Sequence, residues 1–158
     1  MPAGSETLTK WEPVGDINFD FVSAEVYFNH SELWVRLVDG RLDVAEHLDL
    51  VFHFAAVAGY AMHEEFAHPS QGTVWSREPV ISDDNKSTFP CLIVAESEWF
   101  ERLRSELDIN YEGAVQYRPC SNFPVIDVIS ARRPAVRWLE RPSGTQDIPG
   151  PSWAAQAG

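Results

Sequence analysis

The sequence predicts an α+β fold that is mainly β: a strongly curved antiparallel sheet or partial barrel with one helix packed against it. Three observations carry that reading. The longest apolar run, Leu48 to Glu65, opens with a clean period of two. Strand-like segments outnumber helical ones by about eight to one when hydrophobic periodicity is counted. The connections are short, and a single helix cannot supply the crossovers of a doubly wound parallel sheet.

Leu48, Leu50, Phe52 and Phe54 fall on one face of the opening run, and His47, Asp49, Val51 and His53 on the other. That alternation marks a half-buried strand, placed centrally because its Leu/Phe face needs cover. Gly59 interrupts the run, which predicts a bulge or bend and a separate strand over Val57 to Phe66. Upstream, residues 1–14 read as an irregular lead-in, with Trp11 tucked against the domain. Ile17, Phe19 and Phe21 alternate with Asp16, Asn18 and Asp20 as a strand with one wet face. Ala24 to Phe28 and Glu32 to Val38 follow as strands, and Asp39-Gly40 is a hairpin signal.

Downstream, Thr73 to Arg77 reads as a short strand, residues 82–88 as a polar loop, and Phe89 to Ala95 as an apolar strand. The helix is expected over Glu98 to Leu107. Ser97 is its N-cap, and Phe100, Leu103 and Leu107 form its apolar stripe. Ala114 to Arg118, Val125 to Ser130 and Ala135 to Leu139 complete the strands. Residues 1–141 are expected to form a single globular domain. From 142 to 158 the chain is rich in Pro, Gly and Ala and reads as a tail.

The net charge of −12 is unevenly distributed. Residues 1–100 hold 17 acids against 5 bases, whereas residues 101–158 hold 7 of each. Such a body repels phosphate backbones, which argues against nucleic acid and for a basic protein or peptide partner. No apolar run is long enough to span a bilayer, so no membrane association is expected. The opening M-P-A-G-S-E-T has no secretory pattern. The reading is therefore a cytoplasmic protein whose two cysteines, Cys91 and Cys120, are reduced thiols. Cys91 reads as inert packing, and Cys120 as a loop thiol open to reaction.

The near-miss motifs fail on spacing. Asp16-x-Asn18-x-Asp20 begins like a calcium loop but has Phe21 and Tyr27 where glycine and a bidentate acid are required. His63 and His68 are five residues apart, which on a helix separates them by about 140°, so the zinc-protease pattern is not met. His47 and His53 are about 20 Å apart on an extended strand, beyond the reach of one ion. No metal and no cofactor are therefore expected. No nucleophile elbow or phosphate loop is present.

Asp127 interrupts V-I-D-V-I and reads as a structural buried acid in need of a partner. Arg132 and Arg133 are the nearest candidates. The favoured function is a small, acidic, non-enzymatic binding protein that engages a basic protein, as a toxin-neutralising immunity protein does. Its partner-binding acids are expected among Glu46, Asp49, Glu64, Glu65, Asp83 and Asp84, on exposed strand faces and turns. One alternative is an enzyme or small-ligand-binding domain with a pocket in the concave sheet face. Another is a structural subunit that homodimerises through an edge strand.

Because the metal-site spacings fail, dialysis of the chain against a chelator is expected to leave the melting temperature within about 5 °C. Roughly 1 kcal/mol shifts a domain of this size by that amount, and a larger fall would reveal a bound ion.

Overall fold

The computed structural model describes residues 7–15, 17, 19–63, 90–106, 113–122 and 124–142. Nine strands and one helix are described: β1 (Thr7–Trp11), β2 (Phe21–Asn29), β3 (Glu32–Asp39), β4 (Glu46–Phe54), β5 (Val57–His63), β6 (Cys91–Ala95), α1 (Glu98–Glu106), β7 (Val115–Pro119), β8 (Val125–Ser130) and β9 (Ala135–Pro142). They form two antiparallel sheets, ordered β1-β6-β7-β8-β5 and β2-β3-β4-β9. The architecture is mainly β with one helix, as the periodicity implies. The strands divide between two open sheets, and neither sheet closes on itself.

Period-two alternation explains why the sheets stack. Leu33, Val35 and Leu37 of β3 and Leu50, Phe52 and Phe54 of β4 are fully buried in one cluster with Cys91, Tyr117, Ile126 and Val128 of the other sheet. Trp11 bridges the layers, 6.3 Å from the Phe52 ring and 5.3 Å from the Tyr117 ring. Burying such side chains contributes about 1.5–3 kcal/mol each.

The chain changes sheets between β4 and β5 through Ala55 and Ala56 alone. This corner is held by Val57 N donating to Ser31 O (3.0 Å) and Ala131 N donating to Ala56 O (3.0 Å). The expected bulge lies on β5, where Val57 faces Ser130 but Gly59 faces Ile129.

The helix begins where its cap predicts. Phe100 N donates to Ser97 Oγ at 3.2 Å, and Ser97 is 1% exposed. Phe100 and Leu103 lie on Ile129, covering the outer face of the five-stranded sheet. An added Cβ at Gly59 would sit 3.5 Å from Leu103, so the glycine gives the helix room to approach.

Several local expectations differ from the structure. Thr7–Trp11 is a strand rather than an irregular lead-in, because β6 offers it a ladder from Thr7↔Ala95 to Trp11↔Cys91. Ile17 and Phe21 are buried, yet the strand starts only at Phe21. The two-residue hairpin is at His30-Ser31, with His30 at φ 58°, whereas Asp39-Gly40 opens a longer connection that ends at Glu46. The expected strand at 73–77, the loop at 82–88 and the tail from 143 lie outside the described residues. Among the described residues no helix is long and apolar enough to cross a membrane.

Phe52 is fully buried where the two sheets meet. Phe52→Ala is expected to lower the unfolding free energy by about 3–5 kcal/mol in a urea titration.

Candidate functional site

The polar residues that the structure draws together lie at one end of the four-stranded sheet, around the β3–β4 connection. Asp49 sits on β4 between β3 and β9, facing away from the core. On β3, Arg36 is opposite Val51, and on β9, Arg141 is opposite His47, so both arginines reach Asp49 diagonally. Arg36 Nε donates to Asp49 Oδ2 at 2.9 Å, and its Nη2 lies 2.8 Å from the same oxygen. Arg141 Nε donates to Oδ2 at 3.1 Å and Nη2 to Oδ1 at 3.2 Å. Arg36 also donates to Glu25 at 3.1 Å. Arg36 and Asp49 are both fully buried.

A second carboxylate extends the network. The Asp39 main chain donates to Asp49 Oδ1 at 2.9 Å, and its carbonyl accepts from Arg141 at 3.1 Å. The Asp39 side chain accepts from Arg41 N (3.0 Å) at the start of the connection and from Leu48 N (2.9 Å) near the start of β4 beyond it. The Arg41 guanidinium closes on it at 2.7 Å and lies over the Phe19 ring at 3.8 Å. Burial pushes the Asp39 carboxyl up, but its bonds from Arg41 and from the Leu48 and Arg41 amides outweigh that and hold it below the ordinary carboxylate value. His47 Nε2 donates to Arg41 O at 2.7 Å, which assigns its proton to that nitrogen. Gly40 packs so closely that an added Cβ would meet both Val22 methyls at 2.4 Å.

The connection is thus tied to Asp39 from both sides. Its tip, by contrast, is presented to solvent: Leu42 is 92% exposed, and Asp43, Ala45 and Glu46 are exposed around it. A single exposed leucine is ordinary. Here it stands on a loop whose base is tied to Asp39, with Asp43 and Glu46 exposed beside it.

The sequence-predicted residues fall differently. Glu46 is exposed at the edge of this loop. Asp49 is a correction: it is consumed internally by two arginines rather than offered to a partner. Glu64, Glu65, Asp83 and Asp84 lie outside the described residues. Asp127 is 1% exposed, bonded by Arg118 Nε at 2.8 Å and Gln116 Nε2 at 3.0 Å. Its partners come from β7, because Tyr117 faces Val128 and positions 118 and 127 follow in register. Arg132 and Arg133, nearer in sequence, lie beyond the end of β8 and are exposed.

The histidines are engaged separately. His53 stacks on Trp34 at 4.6 Å and contacts Glu32 at 3.2 Å, far from His47 and its bond to Arg41. Burial pushes the Cys120 thiol up to about 12, and Cys91 is raised by the same cause. Cys120 is half-buried, and a raised value leaves little of the thiolate, the form that acts as nucleophile. Cys120 lines a hollow of about 30 Å³ with Asp20, Phe21, Ser121 and Asn122. That holds a water or two, well short of the roughly 300 Å³ at which ligand pockets begin. Comparison of the chain with protein-family models, curated proteins and solved structures finds no match.

Asp49→Ala would leave Arg36 and Arg141 buried without their acid, and a loss of about 3–5 kcal/mol is expected in equilibrium unfolding. A carboxyl held below its ordinary value in the folded state stabilises most above the unfolded value, and that stability is lost as pH falls through the folded one. Stability should therefore decline on acidification below about pH 4, the unperturbed aspartate value, and Asp39→Asn should flatten that decline.

Proposed function

We propose that this chain is a small acidic binding protein without catalytic chemistry, and that it engages a basic protein partner through the Gly40–Glu46 loop. The observation that carries this reading is Leu42, 92% exposed on a connection flanked by Arg41 and Leu48, whose amides both donate to the buried Asp39 carboxylate. A loop already ordered in the free protein forgoes much of the entropic cost of binding. An apolar anchor ringed by like charges suits a partner of opposite charge, which is steered in by the field and held by the anchor.

Charge placement supports the same reading. The network around Asp49 contains Arg36, Arg41, Arg141, Glu25, Asp39 and Asp49 and is neutral as a group, as is the Arg118–Asp127 pair. The whole net charge of −12 therefore rests on other residues. Among these, Asp43 and Glu46 flank Leu42. A toxin-neutralising immunity protein fits this description on physical grounds, acting in the cytoplasm with Cys91 and Cys120 as thiols.

The test is a partner captured from the host with the full chain, followed by association kinetics across salt. Reversal of Asp43 and Glu46 to Lys is expected to slow association and flatten its salt dependence. Screening at physiological ionic strength already shortens the reach of these charges to about 8 Å. Leu42→Ala is expected to act on dissociation, by about tenfold for about 1.4 kcal/mol, with the melting temperature unchanged. An acidic or uncharged partner, or an on-rate indifferent to salt, would overturn the proposal.

A further inference from the structure

Away from the loop, the fold brings together the two cysteines of the chain. Cys91 opens β6, and Cys120 follows the last residue of β7. Cys91 stands directly opposite Pro119, and Cys120 N donates to Pro90 O at 2.9 Å, so the pairing continues one residue past the end of β7. Directly opposed Cα atoms are about 4.5–5.5 Å apart, and an offset of one residue adds about 3.4 Å along the strand, which puts the Cα atoms of Cys91 and Cys120 roughly 6 Å apart. A disulfide spans about 4.4–6.8 Å between Cα atoms.

The sulfurs converge as well. In a continuing strand consecutive side chains turn to opposite faces. Here β7 ends at Pro119, and the Cys120 thiol turns back to donate to Arg118 O at 3.4 Å. The Cys91 thiol donates to Leu92 O at 3.5 Å. Leu92 and Arg118 are directly opposite each other, so the two sulfurs rest on one rung of the ladder. Burial raises the Cys91 thiol, the charge of Cys120 raises it further, and the Arg118 main chain acts in the other direction. Burial likewise raises Cys120, and the Leu92 main chain is among the groups that oppose it. Each sulfur therefore feels the other's strand.

We infer that Cys91 and Cys120 are a redox pair, two thiols in the reduced protein and an intramolecular disulfide between β6 and β7 after exposure to hydrogen peroxide. The half-buried Cys120 meets the oxidant. Its thiolate attacks one peroxide oxygen, the O–O bond breaks, and the sulfur becomes a sulfenic acid as hydroxide leaves and takes up the thiol proton. Cys91 is fully buried but needs no access to solvent, because its target is the neighbouring sulfur. Its sulfur attacks that of Cys120, the S–O bond breaks, and hydroxide departs with the Cys91 proton as water. Two thiols and one hydrogen peroxide give one disulfide and two waters, and the two electrons lost by the sulfurs are gained by the peroxide oxygens. The raised thiols make the reaction slow at neutral pH and faster by about tenfold per pH unit above it, because the thiolate is the reacting form.

The experiment treats the full chain with hydrogen peroxide at neutral and mildly alkaline pH. The intact mass is expected to fall by two hydrogen atoms with no oxygen added, and peptide mapping to link the Cys91 and Cys120 peptides. The melting temperature should rise by several degrees and return on addition of a thiol reductant, since a bridge constrains the unfolded chain. Cys91→Ala keeps a small apolar side chain in the core and is expected to stop at a Cys120 sulfenic acid, trapped by dimedone. Cys120→Ser should leave Cys91 unmodified over the same time. A covalent dimer through Cys120, oxygen added to wild type with no bridge, a bridge that forms only in urea, or a bridge that lowers the melting temperature would each overturn the inference. Any of these would show that the folded strands do not hold the two sulfurs within bonding reach.

Discussion

The Asp49 carboxylate is the constraint on which one end of the molecule depends. It receives both oxygens' worth of hydrogen bonds from Arg36, Arg141 and the Asp39 amide, and so ties β3, β4 and β9 together on the face away from the core. A buried ion pair is not stabilising by default, because desolvation offsets much of the attraction. Here the hydrogen-bonding capacity of the acid is filled and its charge is shared by two planar guanidinium groups. Such an arrangement specifies geometry more than it adds stability: the three strands pair in the register that brings these groups within reach.

That geometry has a consequence for the loop. Asp39 is held in place by Asp49 through its amide and by Arg141 through its carbonyl. Its side chain then accepts from the amides of Arg41 and Leu48, which flank the connection. The buried salt bridge thus positions the base of the connection that carries Leu42. Two different surfaces result. One is charged, around Leu42. The other is β5, an edge strand among the described residues that carries no Asp, Glu, Lys or Arg.

Much of this was legible in the chain. The faces of Leu48 to Phe54, the Ser97 cap, the Phe100–Leu103 stripe and the disturbance at Gly59 are local patterns, and each appears where its pattern puts it. Thr7–Trp11 was not legible, since its strand exists only because β6 offers an edge. The candidate site was legible only in part. Glu46 reads as an exposed acid and is one. Asp49 reads the same way, and nothing local distinguishes it.

The sequence by itself determined the periodicities, the helix after Ser97, the excess of acid and the incomplete metal-binding spacings of its motifs. These depend on spacing within a few residues, where helix and strand geometry are fixed by the backbone. Only the tertiary structure decided which acids are spent internally. Asp49 meets Arg141 across 92 residues, and Asp127 meets Arg118 rather than the nearer Arg132 or Arg133. Pairing of that kind is set by strand register between distant segments. The same alternation that places an acid on an outward face cannot say whether an arginine from another strand will be lying across it.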